Sequence, residues 1–374
     1  MSPPTDETRA LIALQLVPNL GPLRTKALVE HLGSARAVVE AGVGRLLQVP
    51  GIGEKLAGET VAALRTIDVD AEVQSMEKHR VALLVRGEAG YPAPLADIYA
   101  PPTLLYVRGA LQEGDVRAVA IVGSRQCTDY GKRTATRLAQ ELARAGYIVV
   151  SGLARGIDAA AHRGALQGGG RTLAVLAGGL ARIYPPEHRG LADEVEKNGA
   201  LLTESSMQQD PIAALFPARN RIISGLCKAV VLVEAAEKSG ALITAEHAAE
   251  QGRIVLAVPG PVDSLSSGGT NALIRQGAIL CRGVDDVLEE VEGVSARITA
   301  EKAAAAAPSP PAGPPPGLDA TQLQIWEHLS QGARHLDEMV QQLGLGVGAL
   351  SGMLLTMEMK KIVRRLPGNR YERC

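Results

Sequence analysis

The chain has 374 residues, of which 46% are hydrophobic, and a formal net charge of −1 at pH 7. This composition indicates a globular protein with at least one large core and small appended domains. The sequence contains no run of about 18 uncharged apolar residues, and residues 1–9 lack the basic and apolar regions of a signal peptide. We therefore expect a cytoplasmic protein with no membrane contact.

The four cysteines are spread along the chain as Cys127, Cys227, Cys281 and Cys374. Without a Cys-x-x-Cys pair they predict free thiols, and they disfavour a zinc knuckle and a disulfide framework. No metal is expected. Aromatic residues make up only 2% of the chain, which disfavours single-strand binding by rows of stacked aromatics. A nucleic-acid partner would have to be attracted by locally clustered arginine and lysine.

Residues 1–80 are rich in Leu and Ala at helical spacing and predict a small helical domain. Two breaks interrupt the pattern, at residues 17–22 and 49–55. The second break has the Gly51-Ile52-Gly53 turn of a helix-hairpin-helix, whose amides and helix start can face a DNA phosphate. The first resembles a degenerate copy, with Asn19 in place of a glycine. Such glycines also end helices that only pack together, so both interpretations stay open.

From residue 81 to residue 298, short apolar runs alternate with helix-length segments. The predicted strands cover residues 118–122, 147–150, 172–177, 201–204, 229–234, 254–258 and 278–281. This alternation is typical of an α/β protein, here an extended Rossmann-like core with a parallel sheet covered by helices. Ligands of such open sheets bind at the carboxyl ends of the strands. The turns at those ends are therefore the candidate site.

The first two strands both end in a turn of small residues that contains an arginine. Gly123-Ser124-Arg125 follows the first strand, and Ser151-Gly152 with Arg155-Gly156 follows the second. Such a turn brings backbone N–H groups, a helix N-terminus and a guanidinium to one point, which suits a phosphate. The Gly-x-Gly-x-x-Gly turn and the acidic residue of an NAD site are both missing. No cofactor is expected.

Asp158 and His162 follow the second turn and stand four residues apart, on one face of the predicted helix. One interpretation is an acid–base pair. We favour instead a pair internal to the helix that orients the loop.

The remaining strand ends add candidate phosphate-binding or DNA-binding residues. These are Gly178 and Gly179 after the third strand, Phe216, Arg219, Asn220 and Arg221 before the fifth, Ser239 and Gly240 after it, and Asn271 after the sixth. The start of a core helix has no evident use for two arginines around an amide, whereas a strand of phosphates and bases has. Phe216 either stacks on a base or staples the helix. With Arg125 and Arg155, these arginines predict a groove larger than one nucleotide needs.

Residues 299–317 form an Ala/Pro-rich linker, which we expect to be semi-rigid and solvent-exposed. Residues 318–374 predict a winged-helix-like domain, with a helix capped by Asp319, helices over residues 336–343 and 348–357, and a hairpin with its turn at residues 367–369. Near its end lie Lys360, Lys361, Arg364, Arg365, Arg370 and Arg373. These charges slightly favour contact with duplex DNA over a protein-docking role, and a merely solvated basic face stays open.

The strand-end turns, in this order, resemble the DNA-processing protein A family, also called DprA or Smf. The resemblance is carried by residues 91–92, 101–102, 105–109, 122–125, 151–158, 216–226, 234–235, 239–245, 258–260 and 269–271. It covers about residues 91 to 280. One conservative departure is Cys227, where serine would be expected.

The resemblance implies a core that binds single-stranded DNA, forms a homodimer and helps to load the RecA recombinase onto incoming strands during natural transformation. The DNA-facing residues that it implies are Gly123, Ser124, Arg125, Arg155, Arg219, Asn220 and Arg221. The two terminal domains match common attachments of the family. The apolar segment 272–274 is either a dimer surface or a cover of the sheet. We expect Arg125→Ala and Arg219→Ala to weaken DNA binding without unfolding the protein.

An enzyme is the alternative, because nucleotide phosphoribohydrolases of the lysine-decarboxylase-like fold share such a sheet. A loop of those enzymes carries a catalytic glutamate, and the nearest fragment of this chain, residues 269–273, has Leu273 at that place. Glu204 and Glu234 near the strand ends lack a matched partner or metal-ligand spacing. We therefore predict a binding protein with no catalytic residue.

Overall fold

The computed structural model describes residues 4–293, 318–360, 362–366 and 369–373. The chain divides into two compact units, Met1–Arg297 and Ile298–Cys374. The predicted linker over residues 299–317 lies outside the described residues.

The first unit begins with short helices. They are α1 (Asp6–Leu16), α2 (Pro22–Leu32), α3 (Ala35–Val39), α4 (Val43–Leu46), α5 (Glu54–Leu64) and α6 (Val69–Lys78). The predicted breaks fall between α1 and α2, where Asn19 has a φ of 64°, and between α4 and α5, where Gly51 has a φ of 82°. Positive φ angles are accessible to Gly and Asn at low cost, which explains why these residues stand there.

These helices share a hydrophobic cluster with the sheet that follows them. Ile12 and Leu14 of α1 are fully buried in the same cluster as Leu104 and Tyr106 of the sheet. The predicted boundary at residue 80 therefore separates two kinds of secondary structure, but it does not separate two hydrophobic cores.

The described part of the core holds a nine-stranded sheet in the order β1-β2-β6-β5-β4-β3-β7-β8-β9. The strands are β1 (Val81–Val85), β2 (Leu104–Gly109), β3 (Ala118–Val122), β4 (Ile148–Ser151), β5 (Thr172–Val175), β6 (Gly199–Thr203), β7 (Ala229–Leu232), β8 (Ile254–Ala257) and β9 (Ile279–Leu280). The strands from β3 to β9 are parallel to one another, as predicted.

The predicted parallel core is confirmed, and the sheet extends beyond it at one edge by two antiparallel strands. β1 and β2 were not predicted, and β2 pairs antiparallel with both β1 and β6, with Val81 opposite Arg108 and Tyr106 opposite Thr203. Between β1 and β2 the chain forms only the four-residue helix α7 (Ala93–Ala96). An antiparallel pair does not need the long crossover helix that a parallel pair requires, so the alternating pattern gave no signal here.

Helices cover both faces of the sheet. After α7 they are α8 (Asp129–Arg144), α9 (Ile157–Gln167), α10 (Arg189–Asn198), α11 (Leu215–Gly225), α12 (Ala241–Glu250), α13 (Gly268–Arg275) and α14 (Val284–Glu292). Strand residues alternate between the faces. In β3, Val119 and Ile121 pack with α8 and α9, whereas Ala120 and Val122 pack with residues of α11 and α12. Because the strands from β3 to β9 are parallel, their carboxyl ends all lie at one edge of the core.

The second unit has a core of its own. It contains α15 (Ala320–His328), α16 (Leu336–Leu343), α17 (Val347–Met359), β10 (Arg334–His335), β11 (Val363–Leu366) and β12 (Arg370–Arg373). Asp319 caps α15 in a capping box with Gln322, which confirms the predicted cap. The unpredicted strand β10 adds to β12 and completes a winged helix. Residues 367–368 of the predicted hairpin turn lie outside the described residues.

No single helix in the described ranges is long and apolar enough to span a membrane. The pair α16 and α17, bent by 114°, passes that test together on length and composition alone. Leu354 and Met357 of α17 are buried in the core of the winged helix.

Candidate functional site

The two arginine-bearing turns predicted from the sequence lie against each other. The N–H of Ile157 donates to the carbonyl of Ser124 over 3.2 Å, and the N–H of Ser124 donates to the carbonyl of Glu234 over 2.7 Å. Gly156 has a φ of 75°, and a Cβ atom there would overlap the carbonyl oxygen of Ser124. The carboxyl ends of β3, β4 and β7 are thus joined by backbone contacts that only small residues permit.

An open groove of about 730 Å³ lies over these turns. Its walls include eight of the predicted site residues, namely Gly123, Ser124, Arg125, Phe216, Arg219, Asn220, Ser239 and Gly240. A smaller pocket beside it is lined by Gly152, Arg155 and Gly178. The structure therefore brings most of the predicted residues to one edge of the sheet.

Arg125 is exposed and is held over an aromatic ring. Its guanidinium carbon lies 4.5 Å from the centroid of the Phe216 ring, and the ring of Tyr184 meets Phe216 edge-on at 6.1 Å. Phe216 is half-buried. A ring in this position attracts a cation through its quadrupole and restrains the long arginine side chain. The cluster presents the Arg125 charge to the groove.

Arg155 is also exposed, but its charge is partly balanced. Its Nε lies 2.5 Å from Oε1 of Glu187, and about half of each side chain is exposed. The hydrogen bond from Arg155 holds the pKa of Glu187 below its usual value. An anion at Arg155 would have to compete with this carboxylate.

Arg219 is buried and has structural contacts. We had expected that the start of a core helix has no use for such an arginine. Its side chain is only 4% exposed, and Nη1 donates to the carbonyls of Gly152, at 2.8 Å, and Val175. Burial lowers the pKa of Arg219 to about 10, against the attraction of the Asp158 carboxylate. Arg219 ties the ends of β4 and β5 to α11, because carbonyls left bare by the turns need a buried donor.

The other two residues of the Arg-Asn-Arg segment also have internal partners. Nδ2 of Asn220 donates to the carbonyl of Gly240 over 3.3 Å. Arg221 is 8% exposed, forms an ion pair with Glu204, and is not among the residues that line the groove. The prediction of four arginines facing a ligand was therefore wrong for Arg221, and of the four only Arg125 is both exposed and without a carboxylate partner in the described structure.

Asp158 orients the loop after β4, as favoured from the sequence. It is buried and accepts from the N–H groups of Gly152, at 3.1 Å, and Ala154, at 3.3 Å. Burial raises its pKa. His162 does not pair with it: Nδ1 of His162 bonds the hydroxyl of Thr172 at 2.7 Å, and burial lowers the pKa of this imidazole to about 3. These contacts give the two side chains separate structural roles.

Four further predicted residues have structural contacts. Ser151 is fully buried and donates to the carbonyl of Ile121 over 2.7 Å. Gly179 packs against the backbone of residues 206–207, where a Cβ atom would overlap Ser206. Asn271 exchanges two hydrogen bonds with the backbone of Gly260 and does not line the groove. Ser239 lines the groove and accepts from the N–H of Ala241 at the start of α12.

The carboxylates at the strand ends are all engaged. Glu234 is 3% exposed and accepts from the backbone N–H and the hydroxyl of Thr128. Glu204 pairs with Arg221, and burial raises the pKa of Glu204. The partners of these carboxylates are an arginine and a threonine from elements distant in sequence.

The sequence analysis missed several groove residues. Gln126, Tyr184, Pro211 and Ala213 line it. Gln126 follows Arg125 in the turn after β3, whereas the other three lie outside the arginine-bearing turns. Tyr184 had one signal, an aromatic residue directly before two prolines. Pro211 and Ala213 are chemically bland and enter the groove only because α11 is placed beside the β3 turn.

The fold and the groove together define a Rossmann-like protein with an open groove at the carboxyl ends of its parallel strands. The family model described as DNA recombination-mediator protein A matches residues 82–292. Models of the DprA winged helix domain and of a SAM-like helix-hairpin-helix tandem match residues 309–369 and 11–66. The chain belongs to the DNA recombination-mediator protein A family, which confirms the resemblance seen in the sequence.

The similarity to a curated relative extends over nearly the whole chain. Protein Smf of Synechocystis is 32% identical over 97% of this chain and 98% of its own length. The crystal structure of DprA from Streptococcus pneumoniae covers 76% of this chain and 98% of its own, with 34% identity and a TM-score of 0.67. A structure of the Helicobacter pylori protein, described for its single-stranded DNA binding mode, covers 57% of this chain and 95% of its own, with 29% identity and a TM-score of 0.51.

Proposed function

We propose that this protein binds single-stranded DNA along the carboxyl edge of its sheet and acts as a recombination mediator. The exposed Arg125 guanidinium, held over Phe216 at the mouth of the groove, is the observation that carries the proposal. A charge-assisted bond from Arg to a phosphate oxygen is among the strong hydrogen bonds available to such a surface. The single-stranded DNA binding of the Helicobacter pylori relative supports the same ligand.

The groove suits the DNA backbone better than particular bases. Ser124 and the start of α12 at Gly240 supply hydroxyl and amide groups beside Arg125, which are typical phosphate donors. Asn220, the amide best suited to read a base edge, is already bonded to Gly240. We therefore expect little sequence preference.

Membership of the family supports a more specific biological role. We propose that the protein protects incoming DNA and loads the RecA recombinase during natural transformation, and that it acts as a homodimer. Ala272 of α13 and Leu280 of β9 are exposed at the end of the sheet, which supports that end as the dimer surface. Contact with RecA and a cytoplasmic location remain predictions.

In the described part of the winged helix, the exposed arginines lie on the strands, and Lys360 follows helix α17. Helix α17 carries no arginine or lysine and exposes Val347, Leu355 and Met359, whereas Arg364, Arg365 and Arg370 are exposed on β11 and β12. Contact with duplex DNA through the terminal domains stays a prediction, and the exposed arginines support the β11–β12 hairpin as the part that makes it. A protein-docking role for the apolar helix stays open.

We also propose that the core is not a hydrolase. Leu273 stands where the phosphoribohydrolase glutamate would be, and it is half-buried against the sheet. Asp158, Glu204 and Glu234 are held by internal donors, which supports structural roles for them. Incubation with nucleoside monophosphates, followed by chromatography for free base, tests this point. Measurable release of base would support the phosphoribohydrolase alternative instead.

The binding proposal is tested by titrating a labelled oligothymidine at several salt concentrations. We expect log affinity to fall linearly with log salt, and Arg125→Ala to reduce the magnitude of the slope by about 1. Arg144→Ala is the matched control, because Arg144 is exposed at the far end of α8, about 22 Å along the helix from its start. An affinity that does not depend on salt concentration would overturn the proposal that the groove binds phosphates.

A further inference from the structure

A second cleft lies beside the groove, on the other side of the turn after β3. It has a volume of about 500 Å³. Its lining residues are Thr128, Tyr130, Glu234, Pro259, Gly260, Pro261, Ser264, Ser266 and Ser267. The floor is shared with the groove: the carbonyl of Glu234 holds Ser124, and its carboxylate holds Thr128.

The chemistry of this cleft differs from that of the groove. None of its lining residues is a cation, and one is the carboxylate Glu234, so a phosphate would be repelled. The hydroxyl of Thr128 already donates to Glu234. The hydroxyls of Ser264 and Ser266 bond each other at 2.9 Å, which leaves the second proton of that pair for a ligand. Tyr130 is 46% exposed, and the segment that supplies the serines exposes Val262 and Leu265 at 97% and 88%. Apolar faces beside hydroxyl donors suit a flat, neutral ring with polar edges.

The position of the cleft fits a strand that passes Arg125. The groove lies at the ends of β4, β3 and β7, and the cleft lies at the ends of β7 and β8. Neighbouring strands are about 4.8 Å apart, so the ends of β3 and β8 are separated by roughly 10 Å. A phosphate at Arg125 and a base of the same strand in the cleft are compatible with that spacing.

We infer that the cleft is a nucleobase subsite, in which a base of the strand held at Arg125 stacks on Tyr130. This inference rests on the proposed single-stranded DNA binding. Tyr130 lies in the first turn of α8, where helix formation fixes its backbone. The cleft takes any base, because stacking on an aromatic face does not depend on sequence.

The test compares Tyr130→Ala and Tyr130→Phe with the unchanged protein. Two probes are used: oligothymidine, and an oligomer of the same length whose sugars carry no bases. We expect Tyr130→Ala to weaken oligothymidine binding about 5- to 50-fold and Tyr130→Phe to leave it nearly unchanged. We expect all three proteins to bind the abasic oligomer with the same affinity. Tyr99→Ala is the matched control, because Tyr99 is 79% exposed and lines neither the groove nor the cleft.

Two other outcomes have distinct meanings. If Arg125→Ala weakens oligothymidine binding and Tyr130→Ala does not, the base subsite is overturned while the phosphate groove stands. If neither variant changes the affinity, the proposed function itself fails. An equal loss of affinity for the abasic oligomer with Tyr130→Ala would also overturn the subsite, because Tyr130 would then act on the backbone.

Discussion

The guanidinium of Arg125 and the ring of Phe216 form a cation–π pair, with 4.5 Å between the guanidinium carbon and the ring centroid. The partners come from the turn after β3 and from helix α11, about ninety residues later in the chain. Arg219 approaches the same ring, at 5.9 Å. Phe216 therefore has two possible uses in binding: it restrains Arg125, or it stacks on a base.

A double-mutant cycle separates these two uses. We expect Phe216→Leu to weaken oligothymidine binding less than Arg125→Ala does, and the double variant to be no weaker than Arg125→Ala alone. The reason is that Phe216 acts through Arg125, so its effect disappears when the arginine is gone. Affinities from fluorescence anisotropy give the cycle. Additive losses would show instead that Phe216 contacts a base directly.

Arg219→Ala should destabilise the protein, which revises the expectation from the sequence that it would affect binding alone. The variant leaves the carbonyls of Gly152 and Val175 without their donor and the buried Asp158 without its neighbouring cation. Breaking a buried charged network of this kind costs about 3–5 kcal/mol in the free energy of unfolding. Urea unfolding measures it.

The control for this prediction is Arg125→Ala, an exposed position where we expect a change within about 0.5 kcal/mol. If Arg219→Ala retained full stability and lost only DNA affinity, the structural role assigned to Arg219 would be wrong.

Gly156→Ala should disrupt the joined turns, because its Cβ atom would overlap the carbonyl of Ser124. Gly146 is a control for a positive φ: its φ of 77° is close to the 75° of Gly156, and no atom lies within 4 Å of a Cβ atom built there. Gly156 also has a ψ of −122°, a conformation that is essentially restricted to glycine, which adds to the cost of Gly156→Ala. Gly146→Ala reports the backbone strain alone, roughly 1–2 kcal/mol. We expect a larger loss of stability, and a loss of DNA affinity, only for Gly156→Ala. Equal losses in the two variants would mean that the contact with Ser124 is unimportant.

His162 should make the protein less stable in mild acid. The pKa of this buried imidazole is lowered to about 3, whereas the unfolded chain binds the proton near pH 6.5. Between these values the unfolded state holds the extra proton, so the free energy of unfolding falls as the pH falls, by up to about 1.4 kcal/mol per pH unit. Burial raises the pKa of Asp158, so the folded state binds this proton more tightly than the unfolded chain does. Its titration therefore increases the free energy of unfolding as the pH falls.

The measurement is urea unfolding of the wild-type protein and of His162→Asn at about pH 7 and about pH 5. The variant should lose stability at neutral pH and show a smaller difference between the two conditions. An unchanged difference would exclude His162 as the origin of the acid sensitivity.

Much of the fold could be predicted from local patterns. The seven parallel strands, the helices that follow them and the capped helix after Asp319 all have strong periodicity or a clear cap, and the structure confirms them. β1, β2 and β10 were not predicted. β1 and β2 pair antiparallel outside the alternation of strands and helices, and β10 has only two residues and forms by pairing with the distant β12.

The sequence by itself determined where the candidate site lies: small residues and arginines at consecutive strand ends, with no acidic residue to hold a ribose. Only the tertiary structure decided which arginine is free. Arg219, Arg221 and Arg155 meet carbonyls or carboxylates supplied by other elements, while Arg125 meets an aromatic ring and keeps its charge exposed. Whether an arginine is available to a ligand depends on the groups that the fold packs against it. Glu204 lies 17 residues from Arg221 in sequence, and Gly152 lies 67 residues from Arg219.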